Sequence, residues 1–160
     1  MPEAQRALSP VGSASLAARA PAREFLAFRL GADLYAVELT HVREIVSPPP
    51  LTGVPRSRPE VIGICSVRGL LVTVFDVRRV LRLEPELPGR LSRILLANAA
   101  SGEVVGLFVD EVRQVIRLAP DEIELAAPNF GVELSRHVVG IGRPEGGFVV
   151  LLDLATMVDT

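Results

Sequence analysis

The sequence predicts a mainly β protein made of two similar small units, each a barrel or sandwich of about five short strands. Three observations predict it. Apolar runs of six to eight residues recur between turn residues, and no long stretch carries the 3.6-residue period of a helix. The plan of the first half returns in the second. Five short strands per unit also suffice to close a barrel and remove most open edges.

The elements follow in order. "EFLAFRLG" and "ADLYAVEL" read as a hairpin over 25–38, turning at Gly31-Ala32-Asp33. "THVREIV" comes next, and Pro48-Pro49-Pro50 stops any helix there. Residues 47–60 hold five prolines, too many for a central strand, so this stretch reads as an irregular loop. Val61–Val67 and Leu70–Phe75 are two strands joined at Arg68-Gly69, where glycine permits the positive φ of a tight turn. Asp76 then precedes "VRRVLRL", the pattern of an N-capped short helix.

Two prolines and a glycine within 84–91 mark a boundary. "RILLANA", a turn at Ser101-Gly102, and "EVVGLFV" open the second half. "DEVRQVIRL", a polar loop over 119–135 and a hairpin over 138–152 complete it. The repeat is visible in detail. "VREIV" at 42–46 matches "VRQVI" at 112–116, an offset of 70, and "VIGI" at 61–64 matches "VVGI" at 138–141, an offset of 77. Asp76 matches Asp153 at that same offset of 77. Such spacing is no solenoid period; it indicates two related β units.

Composition bounds the function. Hydrophobic residues make up 49% of 160 positions, ample for a core, and the net charge is −2 with both signs interspersed. No basic stripe with stacking aromatics is present, so a nucleic-acid surface is not expected. No apolar run reaches the ~18 residues that span a bilayer, so no membrane insertion is expected. The single Cys65 excludes an internal disulfide and a Cys-rich zinc site, and it suits a reducing, cytosolic setting. Residues 1–23 are rich in Ala, Ser, Pro and Arg with only Glu3 acidic, and read as a disordered tail. A transit peptide shares that composition; a secretory signal would need an apolar core that is absent.

No catalytic constellation stands out, and neither cofactor nor metal is expected. His41 and His137 sit in different contexts, and Cys65 lies in an apolar strand as a small hydrophobe. Asp76 and Asp153 could pair as carboxylates, but their equivalent places in the repeat favour capping a helix in each unit. "PEGG" at 144–147 lacks the strand-to-helix context of a phosphate loop. Arg68 is the exception. The first hairpin tip is tight and cationic, the second, "RPEGG", is longer, and a duplicated scaffold that differs at one tip points to a task for that tip.

Four segments carry a resemblance that spans about 24–158: "EFLAFRLGADLYAVELTHVREI", "VIGICSVRGLLVTVFDVRRVL", "VGLFVDEVRQVI" and "VVGIGRPEGGFVVLLDL". In order and spacing they resemble the chemotaxis coupling-protein family, CheW. The resemblance implies two stacked five-stranded SH3-like barrels with short helices, their interleaved boundary near 84–92. It implies a non-catalytic adaptor, cytoplasmic at receptor arrays, that joins chemoreceptor cytoplasmic tips to the regulatory domain of a CheA-type histidine kinase. The matching receptor-binding positions are Val42, Glu44, Gly63, Arg68, Gly106, Val112 and Val115. The resemblance places the kinase contact mainly at the barrel ends.

Two departures are notable. Ser66-Val67 stands where the family usually has Asn-Leu before the Arg-Gly, and Thr73 stands where a proline is usual. They put the class of receptor in question rather than the fold. Two other readings compete, a regulatory domain of a larger signalling protein and a small-ligand-binding barrel. Nucleotide or metal binding would separate the ligand-binding barrel from the adaptor, and fused or co-transcribed kinase segments would mark the regulatory domain.

Overall fold

The structure, a computed structural model, describes residues 21–125, 136–144 and 147–158. The tail expectation falls on residues 1–23, of which 1–20 lie outside the described residues, as do part of the 119–135 loop and the Glu145-Gly146 end of the second hairpin turn.

Eleven strands among the described residues form two sheets. Strands β1 (Arg23–Leu30) and β2 (Asp33–Glu38) make the first hairpin, and a 3-10 turn at Leu39–His41 leads to β3 (Val42–Val46). β4 (Val61–Val67) and β5 (Leu70–Asp76) follow, then one turn of helix, α1 (Val77–Val80). β6 (Arg93–Asn98), β7 (Val104–Val109) and β8 (Glu111–Leu118) come next, then β9 (Ile123–Leu125), β10 (Val138–Gly142), β11 (Val149–Leu152) and α2 (Leu154–Val158). The first sheet runs β8-β1-β2-β11-β10-β9 and the second β3-β6-β7-β5-β4.

The pairing corrects one expectation. Each sequence half does not close on itself. β3, which follows the first hairpin, pairs with β6 of the second, and β8, which follows the second hairpin, pairs with β1 of the first. The halves exchange strands. The expected sheets of five and five are six and five, because the loop after β8 contributes β9, a three-residue strand that its polar sequence concealed. Among the described residues neither sheet's hydrogen-bonded order returns to its first strand, so a closed five-stranded barrel is not what the ladders form.

The repeat survives the exchange. β2 and β11 are parallel neighbours in the first sheet, as β7 and β5 are in the second, while the hairpins are antiparallel in both. The core explains why the runs are apolar on consecutive residues rather than on alternate ones. Along β1, Leu26, Phe28 and Leu30 enter a central cluster, while Phe25 and Ala27 enter a smaller one belonging to the first sheet. Along β6, Leu95 and Ala97 face the central cluster, while Ile94 and Leu96 face one belonging to the second sheet. Strands buried on both faces read as continuous hydrophobic runs.

The helices are short for local reasons. Asp76 caps α1 by accepting from the Arg78 N–H at 3.0 Å, and Asp153 does the same for the Ala155 N–H at 3.0 Å. α1 ends after one turn because Leu81 leaves helical geometry and Arg82 takes a left-handed φ of 61°. The short capped helix expected at "VRRVLRL" thus spans four residues, Val77–Val80.

Candidate adaptor surface

The cationic tip is built by backbone geometry. β4 and β5 pair with Val67 opposite Leu70, leaving a two-residue loop. Arg68 and Gly69 have φ of 52° and 81°. Positive φ at both positions gives a loop whose twist matches that of the flanking strands, a conformation costly for most residues and free for glycine. Arg68 is held left-handed, and its side chain is 71% exposed.

That side chain turns toward β3. Both terminal nitrogens of Arg68 donate to the two carboxylate oxygens of Glu44, a bidentate ion pair. The hydrogen bonds from Arg68 hold the Glu44 carboxyl below its ordinary range, and the same bonds raise the guanidinium. Solvent screens so exposed a pair, so its value lies in orientation more than in stability. Exposed apolar residues adjoin it in the chain: Ile45 follows Glu44 on β3, and Leu70 and Leu71 follow the turn on β5, Leu71 at 72% exposure. Leucines in that position present apolar area beside a fixed charge, the composition of a contact surface.

The other expected residues fall in three places. Val42, half-buried on β3, packs against the central cluster. Gly63 lies at a bulge in β4 with φ of 154°, and a Cβ there would sit 2.7 Å from the Thr52 carbonyl oxygen. Its absence lets the proline-rich loop lie on β4, where Thr52 bridges to Ile64. Gly106 is buried in β7, where a Cβ would come within 2.8 Å of Ile94 and 3.2 Å of Val74. Both glycines permit close approach, so they support the surface from behind. Val112 and Val115 are on β8 of the first sheet; Val112 packs against the same central cluster as Val42, and Val115 is 46% exposed.

The structure thus brings Glu44 and Arg68 into contact, and sets Val42 on the same strand as Glu44. β3 and β8, which carry the repeat-equivalent valines, lie in different sheets. Sequence reasoning missed the Glu44–Arg68 contact, because a separation of 24 residues leaves no periodic trace. It also passed over Ile45, Leu70 and Leu71, though a Leu-Leu pair directly after an exposed turn was a readable signal.

The groups capable of chemistry are engaged otherwise. Cys65 is buried, and burial pushes its thiol up, away from thiolate reactivity. His137 is buried with Nδ1 2.9 Å from the Thr156 hydroxyl, and His41 lies elsewhere, beside Glu38. Among the described residues no three His, Cys, Asp or Glu side chains gather as metal ligands. No helix among them is long and apolar enough to cross a membrane.

Comparison with known proteins fits this architecture. The family described as the CheW-like domain matches residues 24–160. A probable chemotaxis protein CheW of Rhizobium etli is 30% identical over 136 residues, 84% of this chain and 86% of that protein. The chemotaxis protein CheW of Rhizobium meliloti is 30% identical over 133 residues, 82% of this chain and 84% of that one. The crystal structure of the scaffolding protein TtCheW from Thermoanaerobacter tengcongensis superposes with a TM-score of 0.80, covering 88% of this chain and 94% of that chain at 24% identity.

Proposed function

This chain belongs to the CheW-like domain family, and we propose that it is the chemotaxis adaptor that joins chemoreceptor cytoplasmic tips to the regulatory domain of a CheA-type histidine kinase. In this reading it works in the cytoplasm at receptor arrays, performs no catalysis and binds no nucleic acid. Its two sheets act as the pair of SH3-like barrels of the family, two subdomains within 24–158.

The observation that carries the reading is the exposed Arg68–Glu44 pair, with the exposed Leu70 and Leu71 directly following it on the strand that leaves the turn. A guanidinium already oriented by a bidentate partner offers its remaining donors to an acidic or carbonyl-rich helical hairpin at little further ordering cost. Val42, Val112 and Val115 supply apolar contacts from both sheets, and Gly63 and Gly106 hold the surface in shape. A helical hairpin presents spaced apolar anchors that suit such a groove.

Isothermal calorimetry with Arg68→Glu tests it, after circular dichroism has established the fold. Reversal sets two carboxylates against each other and against an acidic partner. Receptor-tip affinity should fall roughly tenfold or more while kinase-domain affinity is retained. Unchanged receptor affinity in the folded variant returns Arg68 to the role of a solvated charge.

A further inference from the structure

A groove of about 620 Å³ opens between α2, the β6–β7 turn and the inner face of β5, floored by Phe75, Val105 and Val158 with Ala155 at its edge. The duplication shows what this position holds elsewhere in the molecule. At the offset of 77 that relates the two capping aspartates, Ala155 corresponds to Arg78 and Val158 to Leu81. Arg78 is 7% exposed and fills the corresponding space, reaching toward the β1–β2 turn, where a Cβ on Gly31 would meet it at 3.4 Å. It donates there to Asp110 and to the Glu84 carbonyl, which belongs to the chain just beyond α1. The first site is therefore filled twice, by a long side chain and by a following segment. The second carries a methyl group in place of the guanidinium.

We propose that the N-terminal segment, residues 8–16, is the occupant of this groove. Three observations lead there. The described chain begins at Pro21, and Arg23 and Phe25 share a small cleft with Asp153 and Leu154, the start of α2. The groove is lined by Ala155, Thr156 and Val158 of the same helix, whose axis rises about 6 Å from Leu154 to Val158. The seven residues from Leu16 to Arg23 span up to ~23 Å when extended, well beyond that need.

Composition agrees. Leu8, Val11 and Leu16 are the aliphatic side chains of a segment otherwise made of Ala, Ser, Gly and Pro, slim enough for a shallow apolar channel. The rim agrees as well. Arg58 is engaged by Glu60 and by the Phe75 ring, whereas Glu103 makes no ion pair among the described residues. Arg19 of the tail is the complementary charge. The segment takes the place that Arg78 and the chain after α1 take in the first site.

The test uses the full chain. In a Cys65→Ser background, Ser13→Cys is labelled with a nitroxide, and the broadening of backbone amide signals is read by NMR. Signals of Val105, Ala155 and Val158 should lose more than half their intensity, and Leu16→Asp should restore them. Ala155→Arg should restore Val105 and Val158 as well, by filling the groove as Arg78 fills its counterpart. Absence of broadening at these residues, or broadening spread evenly over the surface, overturns the proposal. So does broadening that appears undiminished when nitroxide-labelled chain is mixed with isotope-labelled chain lacking the nitroxide, which would place a second copy's tail in the groove.

Discussion

The two capped helices are the same device with different middles. α1 starts at Asp76 and reaches the buried Leu81; α2 starts at Asp153 and reaches the buried Val158. Cap and apolar anchor are kept in both, so those two features suffice to turn the chain off a strand and seat a helical turn on the core. What lies between them differs. Arg78 ties α1 to the corner between β7 and β8: its Nε is 3.0 Å from Asp110 Oδ1, and Asp110 also accepts the Gly31 N–H at 2.7 Å. Its remaining nitrogens donate to the Glu84 carbonyl and to Glu86. Three segments from both sheets meet at one guanidinium. Ala155 ties nothing. The comparison teaches that the duplicated scaffold stands on caps and core, and that a single arginine makes one junction rigid.

The largest break in this comparison is Arg78→Ala. It leaves Asp110 partly buried without its cation, and breaking such a pair costs several kcal/mol. Asp110 keeps 28% exposure, which moderates the loss to about 3 kcal/mol, measured as the shift in urea-unfolding free energy.

The second test sharpens the same junction by pH. Burial pushes the Asp110 carboxyl up, but the Arg78 hydrogen bonds and the Gly31 N–H outweigh it and hold the group below its ordinary range. A depressed folded value means stability that is present above the unfolded value of about 3.9 and is lost as pH falls through the folded one. Asp76 acts in the opposite sense: burial leads and raises its carboxyl despite the Arg78 N–H, favouring the protonated form in the fold. Over the acid range on both sides of about pH 4, Asp76→Asn should therefore steepen the loss of stability above pH 4, where the raised group takes up its proton in the fold first, and Asp110→Asn should flatten the loss below pH 4. Unfolding free energies across that range decide; identical slopes in the two variants refute the assignment.

Smaller effects test the shared part. Asp76→Ala and Asp153→Ala each remove an N-cap, and each should cost about 1 kcal/mol by thermal or urea unfolding. A large gap between them would mean that one aspartate has a task beyond capping. The smallest effect belongs to Ala155→Arg, an addition at an exposed position that should leave stability within about 0.5 kcal/mol.

The hairpin tips repeat the lesson. Arg68-Gly69 closes its hairpin in two residues with positive φ at both, while β10 and β11 are joined by the longer 143–148 stretch. Arg143 in that stretch pairs with Glu124 of β9, 3.1 Å away, so each tip places an arginine on a neighbouring strand's glutamate. Only the first tip is flanked by adjacent exposed leucines on the strand that leaves it.

What the sequence by itself determined was local. Turn residues placed the β1–β2 and β4–β5 hairpins, Asp76 and Asp153 announced their helices, and Arg68-Gly69 marked the tip, because each of these rests on backbone preferences within a few residues. The repeat offsets revealed the duplication for the same reason: equivalent local demands recur. The tertiary structure decided everything that depends on which strand lies beside which. Ladder hydrogen bonds are the same for any apolar partner, so nothing in "VREIV" or "VRQVI" says that β3 crosses to β6 and β8 to β1. That exchange sets the residue behind each contact, the Glu44 that holds Arg68 and the Asp110 that holds Arg78. Both pairs join residues distant in the chain, and only the closed packing of two sheets around one core brings their charges within reach.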